Sequence, residues 1–323
     1  KSPTNDFEYY CIYRSYQGDY GNLEHTTNYI IATTTNTNYL DTPGYGVFYY
    51  WVTAVDNPAP PFWNVWTNES WYSVMQTVTI GTGTNVHNVT QDKWYWTIQA
   101  AVQDANTDDV IEVYPYGYPD SGSKVYKEKV EISEDTTSAT NLIIQAKSWV
   151  SNNIIDTIID GTGNNCAILV SSNRSIELYG FKIKNDTFNG IEITGGSSGN
   201  IIKHNIIYSN NPTWSGDGVP PIGVRIQHPQ SSYNIIATNE FYNNIVDIGI
   251  LGGYSNSVYS NICYNSEEGI GFADANGVPA KYNLIKNNII YNMSGSGIGF
   301  HGNAVSSNTI VSNTIYNLSL IHI

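Results

Sequence analysis

The sequence predicts an all-β protein in which a β-solenoid follows a smaller β-sandwich. One observation is an asparagine-rich phrase, GNIIKHNIIYSNN at residues 199–211, which returns four more times before residue 318. Another is a series of β-branched and aromatic runs, separated by Gly, Pro, Asn and Asp, in the first 80 residues. Two kinds of β structure are therefore expected within one chain of 323 residues.

Residues 1–80 predict the sandwich. The phrases YYCIYRS, NYLDT and YYWVTAVDN occur there in that order. They resemble the later strands of a fibronectin type III domain, in which a Y-x-IYRS strand, a Y-x-DT turn and a YYV-x-AVD strand follow one another. The first two strands of such a domain have no counterpart, so a partial sandwich is expected. Residues 81–96 are expected to be a linker.

The phrase TIQAAVQDA, residues 97–105, predicts one short helix. Its apolar residues Ile98, Ala101, Val102 and Ala105 recur at helical spacing, and Thr97 can act as the N-cap. The apolar face of this helix needs a partner.

The phrases that follow the helix, VIEVYP and KEKVEI, alternate as strands. The order resembles the start of the right-handed parallel β-helices of the pectate-lyase-like superfamily. The asparagine-rich phrase is similar to the repeats of proteins related to periplasmic copper-accessory proteins. This resemblance covers about residues 86–317, and it implies that the helix caps the first coil. We expect the β-helix itself to span residues 97–317.

The final residues 318–323, LSLIHI, resemble the translation of a transposon end used to prepare sequencing libraries. We expect them to be a cloning or assembly scar, and the β-helix to be truncated.

The five repeats align on one asparagine column with spacings of 34, 22, 27 and 25 residues. The columns on either side are apolar at every position and predict the core. Since the strand must bend between two inward residues, an inward asparagine can bond the backbone there, and also bond the asparagine of the next coil about 4.8 Å away. The asparagine column comprises Asn205, Asn239, Asn261, Asn288 and Asn313. A tyrosine column follows it and predicts stacked rings: Tyr208, Tyr242, Tyr264, Tyr291 and Tyr316.

The composition limits the partners. Only 13% of residues are charged, the net charge is −14, and the pI is about 4.6, so nucleic acid is not expected to bind. No apolar run approaches the roughly 18 residues of a membrane span. The three cysteines show no disulfide or metal spacing, and six histidines and two methionines do not cluster, which disfavours copper handling. We expect a monomeric β-helix in an extracellular or cell-surface protein.

A second short strand recurs in each repeat, as GIEIT, GVRIQ, DIGIL, GIGFA and GIGFH. Alternation along the strand predicts that its middle residue faces outward. Three successive glycines there leave a smooth strip on which a flat ligand can approach the backbone, or they only reduce crowding. The outward positions are Glu192, Arg225, Gly249, Gly271 and Gly299.

Acidic residues precede this strand, namely Asp186, Asp217, Asp247, Glu267 and Glu268. We expect them to form one edge of the strip. Asp247, Glu267 and Glu268 lie on neighbouring coils, which predicts a site for one Ca²⁺ ion. The alternative is a solvated acidic edge in an acidic protein.

The first repeat spacing hides an insertion, PTWSGDGVPP at residues 212–221, which carries Trp214 and Asp217. An indole face beside carboxylates is typical of sugar recognition. The alternative places Trp214 in the core. The predicted carbohydrate-binding residues are Trp214, Glu192, Gln227 and His228.

The superfamily resemblance also implies polysaccharide cleavage, by hydrolysis or by β-elimination. Hydrolysis with inversion needs two carboxyl groups, one of them protonated, and elimination needs a base. The catalytic candidates are Asp217, Asp247, Glu268, Arg225 and His301. The NTD, DD and GHG set of polygalacturonases does not occur among the repeats. Three functions remain open: polysaccharide binding or surface adhesion, polysaccharide degradation, and a structural spacer.

Overall fold

Strands form nearly all the regular structure in the computed structural model of the chain. It describes residues 7–15, 30–41, 46–56, 68–70, 73–80, 85–115, 125–152, 155–210, 220–302 and 306–319. The chain divides into two units, one of residues 1–83 with 118–120, and the other of residues 84–117 with 121–323. None of the helices in the described ranges has the length and apolar character needed to cross a membrane.

The first unit contains one antiparallel sheet in the order β2-β1-β3-β4, with β5 also paired to β3. Its strands are β1 Phe7–Ser15, β2 Ile30–Thr34, β3 Gly46–Asp56, β4 Asn68–Glu69 and β5 Gln76–Ile80. The three fibronectin-like phrases meet at one carboxylate, because Arg14 and Tyr50 each donate a 2.7 Å hydrogen bond to Asp41. Trp51 and Tyr13 stack in the small core of this sheet. The fibronectin-like assignment itself stays a prediction.

The second unit contains twenty-five strands and two short helices within the described residues. Before the asparagine-rich repeats, the elements are β6 Val86–Asn88, β7 Lys93–Tyr95, α1 Ile98–Gln103, β8 Asp109–Val113, β9 Val125–Lys127, β10 Val130–Ile132, β11 Asn141–Ala146, α2 Lys147–Asn152, β12 Thr157–Asp160, β13 Cys166–Val170, β14 Ser175–Tyr179, β15 Phe181–Asn185 and β16 Asn189–Ile193. Through the repeats they are β17 Ile201–Lys203, β18 Ile206–Asn210, β19 Ile222–Gln227, β20 Ile235–Ala237, β21 Glu240–Tyr242, β22 Val246–Leu251, β23 Ser257–Tyr259, β24 Ile262–Tyr264, β25 Glu268–Ala273, β26 Leu284–Lys286, β27 Ile289–Tyr291, β28 Ile298–Phe300, β29 Thr309–Val311 and β30 Thr314–Tyr316.

These strands build three long sheets, and each coil adds one strand to each sheet. Sheet I has the order β10-β13-β16-β19-β22-β25-β28. Sheet II runs β29-β26-β23-β20-β17-β14-β11-β8-β6-β7, and sheet III runs β30-β27-β24-β21-β18-β15-β12-β9. All pairings are parallel except those of β6 with β7 and β8. This is the predicted parallel β-helix.

The predicted capping helix is present as α1. Thr97 is its N-cap and accepts a 3.0 Å hydrogen bond from the Ala100 amide. Ile98, Ala101 and Val102 are buried in the core of the β-helix. Residues 86–95, which we expected to be a linker, instead form the β6–β7 hairpin, because β6 pairs with β8 and thereby extends sheet II.

At the other end, Leu318 packs against the same core and the Ser319 amide donates to the Met293 carbonyl at 3.0 Å. Both residues belong to the segment that we expected to be a scar. Residues 320–323 lie outside the described part of the chain.

Buried asparagines connect successive coils, as predicted. In the first ladder, the Asn239 amide and its Nδ2 donate to Asn261 Oδ1 at 3.0 and 3.1 Å, and Nδ2 also donates to the Ile202 carbonyl at 2.8 Å. The same pattern links Asn205, Asn239, Asn261, Asn288 and Asn313. A second ladder runs through Asn200, Asn234, Asn256, Asn283 and Asn308. A third runs through Asn210, Asn244 and Ser266. Each ladder satisfies backbone groups at one bend of the coil.

Each bend contains one residue in the left-handed backbone conformation. The residue before each first-ladder asparagine has a positive φ: His204 55°, Thr238 54°, Ser260 56°, Asn287 56° and Ser312 56°. Such a residue turns the chain and interrupts the sheet hydrogen bonding. The asparagine that follows therefore supplies the partners that the bent backbone lacks.

The apolar columns form the core. Ile202, Ile236, Val258 and Ile285 are 0% exposed, as is Cys263 in the second column, which confirms a core thiol there. The tyrosine column stacks along the outside of sheet III with ring centroids 5.2 to 5.4 Å apart.

Candidate functional site

The predicted strip lies on sheet I in the predicted register. Glu192 pairs with Arg225, Arg225 with Gly249, Gly249 with Gly271, and Gly271 with Gly299. The strand pattern of the repeats was therefore sufficient to align the outward positions of five coils.

The strip is not bare, which favours the second of the two interpretations, that the glycines reduce crowding. A Cβ on Gly299 would lie 1.6 Å from Oε1 of Glu268, and a Cβ on Gly271 would lie 2.7 Å from Oε2. Gly249 is covered by Ile222 and Leu251. The glycines thus make room for a carboxylate that lies flat against the sheet, because any larger side chain would displace it.

Glu268 is fixed by two side chains from the next coil. Ser296 Oγ donates to Oε1 at 2.9 Å, and His301 Nε2 lies 2.9 Å from both carboxylate oxygens. The Glu268 side chain is only 9% exposed, whereas that of His301 is 61% exposed. The pair therefore combines a held, nearly buried carboxylate with an imidazole that meets solvent.

A surface pocket of about 420 Å³ opens beside this pair. Its wall is mostly aliphatic, with Ile222, Val246, Leu251 and Ala273 among the lining residues. Glu267, Glu268 and His301 supply its charged or ionisable groups. The volume lies within the range of small-ligand sites, and the mixture of apolar wall and few polar groups is typical of them.

Asp247 does not join this site. It is 0% exposed and points into the coil, where Oδ1 accepts from Asn244 Nδ2 at 2.8 Å and from Ser266 Oγ at 2.6 Å. Glu268 pairs in register with Val246 and projects outward. The expectation that Asp247 and Glu268 share one edge is therefore wrong: Asp247 and its neighbour Ile248 are both buried, so the inward–outward alternation is interrupted at the start of β22.

The interior position of Asp247 perturbs its titration. Burial raises the pKa of Asp247 from 3.8 to about 7, and the hydrogen bonds from Ser266, Asn244 and Cys263 only partly oppose this rise. Oδ2 has no hydrogen-bond partner among the described residues. Asp247 also raises the pKa of the neighbouring Cys263 thiol, although burial is the larger cause. This carboxyl acts inside the fold and does not reach a ligand at the strip.

The remaining basic candidate on the strip is Arg225, which is 7% exposed. Burial lowers its pKa, and the charge of Glu192 partly counteracts this effect. Among the described side chains, no ion pair within 4.0 Å joins Arg225 to Glu192. Glu192 instead accepts from Asn189 Nδ2 at 3.2 Å.

Two other predicted carbohydrate-binding residues lie at the end of the same strand. Gln227, at the end of β19, is half-buried and pairs in register with Leu251. His228 Nδ1 accepts from the Gln230 amide at 3.2 Å and thereby closes a turn. Neither lines the pocket.

The predicted calcium ligands are separated by the wall of the coil. Glu267 is exposed, Glu268 lies over the strip, and Asp247 is inside. Across the described ranges, no group of three or more His, Cys, Asp and Glu side chains is placed to hold a metal ion. Asp186, the first acid of the predicted row, is exposed and pairs with Lys184 at 3.3 Å.

Trp214 and Asp217 lie outside the described residues, so their predicted roles stay predictions. The described chain resumes at Pro220, which lines the pocket.

The sequence patterns did not predict two features of the site. Ser296 contacts Glu268, and no pattern singled it out. Asp247 was placed in the wrong column, although a signal existed, since it occupies the position that is glycine in the four other repeats: Gly190, Gly223, Gly269 and Gly297. In Gly223 and Gly269 the Cβ direction points into the coil.

The comparisons with known proteins support the fold. Residues 221–321 match the family model described as "Right handed beta helix region". No curated protein and no solved structure matches the chain significantly. With three sheets of parallel strands and this match across the repeats, the chain is a right-handed parallel β-helix protein.

Proposed function

We propose that this β-helix binds polysaccharide in the pocket on the outer face of sheet I. The observation that carries the proposal is the meeting of an aliphatic wall with the Glu268–His301 pair in a pocket of about 420 Å³. Sugar rings present C–H faces that pack on apolar surface, and hydroxyl groups that need donors and acceptors. This wall and this pair supply both kinds of contact.

The solenoid favours an extended ligand. Its coils repeat the strip along the axis of the β-helix, so neighbouring sugar units can contact neighbouring coils. The segment before Pro220 carries Trp214 and Asp217, and we propose that their side chains contribute to the same surface. A polysaccharide ligand also agrees with an extracellular or cell-surface location, which we propose on the same ground.

Binding is tested by screening the full chain on a glycan array and filling the pocket with Ala273→Trp. Ala273 lines the pocket, so the indole should exclude the ligand and weaken binding at least about ten-fold. Thr314→Trp places the same ring on an exposed position of sheet III and serves as the control. Equal binding by both variants, or no glycan bound by the parent, would refute the proposal. Trp214→Ala tests the contribution predicted for the indole.

Glycan cleavage is a second candidate, favoured by the 2.9 Å contacts between His301 Nε2 and the Glu268 carboxylate. An imidazole on a carboxylate can take up and return a proton at a bound ligand. Asp247 takes no part, because it lies inside the coil. Incubating the parent with each bound glycan, and measuring new reducing or unsaturated ends, tests this candidate. Cleavage should disappear in His301→Ala, and a parent that releases no ends would exclude it.

A further inference from the structure

The charged groups of the pocket indicate which polysaccharides it can take. The two carboxylates among its lining residues are Glu267 and Glu268, and its described lining contains no lysine or arginine. His301 is already in contact with Glu268. The pocket is therefore a region of negative potential in a protein of net charge −14.

A uronate sugar would place its own carboxylate against these groups. Like charges at short range repel, and the repulsion is larger beside a nearly buried group than in open solvent. Arg225, the guanidinium on the same strip, is buried and is not among the lining residues. Acidic polysaccharides are therefore disfavoured here.

Glu268 can still accept hydrogen bonds. A carboxylate has about four lone-pair directions. Ser296 Oγ contacts Oε1 and His301 Nε2 contacts both oxygens, so these three contacts still leave a direction free. A ligand ammonium group would satisfy the free direction and neutralise the charge at once. Charge-assisted bonds of this kind are about twice as strong as neutral ones.

We propose that the ligand is an amino-sugar polysaccharide, with its ammonium group on Glu268 and its sugar ring on the aliphatic wall. This inference rests on the polysaccharide binding proposed above and specifies the chemical class of the ligand. The aliphatic wall alone would accept many sugar rings. Glu268, with an acidic neighbour in Glu267, is the element that selects a cationic ligand.

The test compares three oligosaccharides of equal length with the full chain by calorimetry in about 0.15 M salt. They are made of glucosamine, of N-acetylglucosamine and of galacturonic acid. The first two share a ring and differ in charge. We expect glucosamine to bind about ten-fold more tightly than N-acetylglucosamine, and galacturonic acid to bind most weakly.

Glu268→Gln should remove most of the preference for glucosamine while keeping the size of the side chain. Glu134→Gln, at an exposed acid outside the pocket, changes the net charge equally and should change affinity less than about two-fold. Near-ultraviolet circular dichroism checks that both variants fold.

Equal losses of affinity for the glucosamine oligomer in Glu268→Gln and Glu134→Gln would show attraction by net charge alone and overturn the inference. Tightest binding of galacturonic acid, or equal binding of the glucosamine and N-acetylglucosamine oligomers, would overturn it and leave polysaccharide binding intact. Absence of binding by all three oligomers, and by the glycan array, would refute both.

Discussion

Replacing Asp247 by asparagine is expected to remove a pH-dependent loss of stability from the β-helix. The parent carboxyl is fully buried, and its Oδ1 takes the place of a ladder asparagine by accepting from Asn244 and Ser266. Asparagine has the same shape and keeps an acceptor at Oδ1. The variant therefore changes the ionisation of this site with little change in packing.

The direction and size of this pH-dependent change in stability follow from the raised pKa of Asp247. The pKa of Asp247 is about 7 in the folded protein, against 3.8 for an unperturbed carboxyl. Below about pH 4 both folded and unfolded chains hold the proton, and stability is at its full value. As the pH rises toward 7, the unfolded chain releases its proton first, so stability falls. At ~1.4 kcal/mol for each pH unit, the loss amounts to about 4 kcal/mol.

The assay is equilibrium unfolding in urea at several pH values between about 4 and 8.5, for the parent, Asp247→Asn and Asp135→Asn. Asp135 is an exposed acid and controls for a change of one charge. Other groups also titrate in this range, so the quantity of interest is the stability of each variant minus that of the parent. For Asp247→Asn this difference should grow by about 4 kcal/mol from pH 4 to pH 8.

A stability difference between Asp247→Asn and the parent that stays constant with pH would refute the reasoning. It would mean that water or a rearranged neighbour stabilises the ionised carboxylate in the folded chain. A difference of similar size for Asp135→Asn would also refute it, since the effect would then follow from net charge and not from burial.

Three further predictions concern the fold and the site. Asn261→Ala should destabilise the β-helix by about 3 to 5 kcal/mol in urea unfolding, because four groups each lose a hydrogen bond from the Asn261 side chain, whereas Asn313→Ala in the last described coil should cost less. Gly299→Ala should abolish glycan binding on the array, because the added methyl group would displace the Glu268 carboxylate; retained affinity would contradict that geometry. Thr97→Ala should lower stability by about 1 kcal/mol through loss of the helix cap, and an unchanged urea midpoint would exclude this role.

Much of the fold was predictable because it repeats. A side chain recurring at Asn205, Asn239 and Asn261 between apolar neighbours can only be buried in the same way in each coil, so periodicity alone predicted the ladder and the core. The capping helix was predictable for a similar reason. Its apolar spacing and the cap at Thr97 are local signals.

The site was predictable only in part. The sequence determined the order of outward residues along the strip, since alternation within each short strand is a local property. It did not reveal that Glu268 lies flat over Gly271 of its own strand and Gly299 of the next coil, because the direction of a side chain over a sheet depends on its neighbours in space.

The sequence by itself determined a β-solenoid, its coil boundaries, its ladder and its outward strip. Tertiary structure decided which face of sheet I each acid occupies, although the glycines at the Asp247 position in the other four repeats already marked that position as inward. Asp247 and Glu268 are separated by one position in strand register, and that offset puts one carboxyl in the core and the other in a pocket. The physical reason is that the bend between two strands determines which residues of the next strand face inward. The residue types at the bend do not indicate which residues those are.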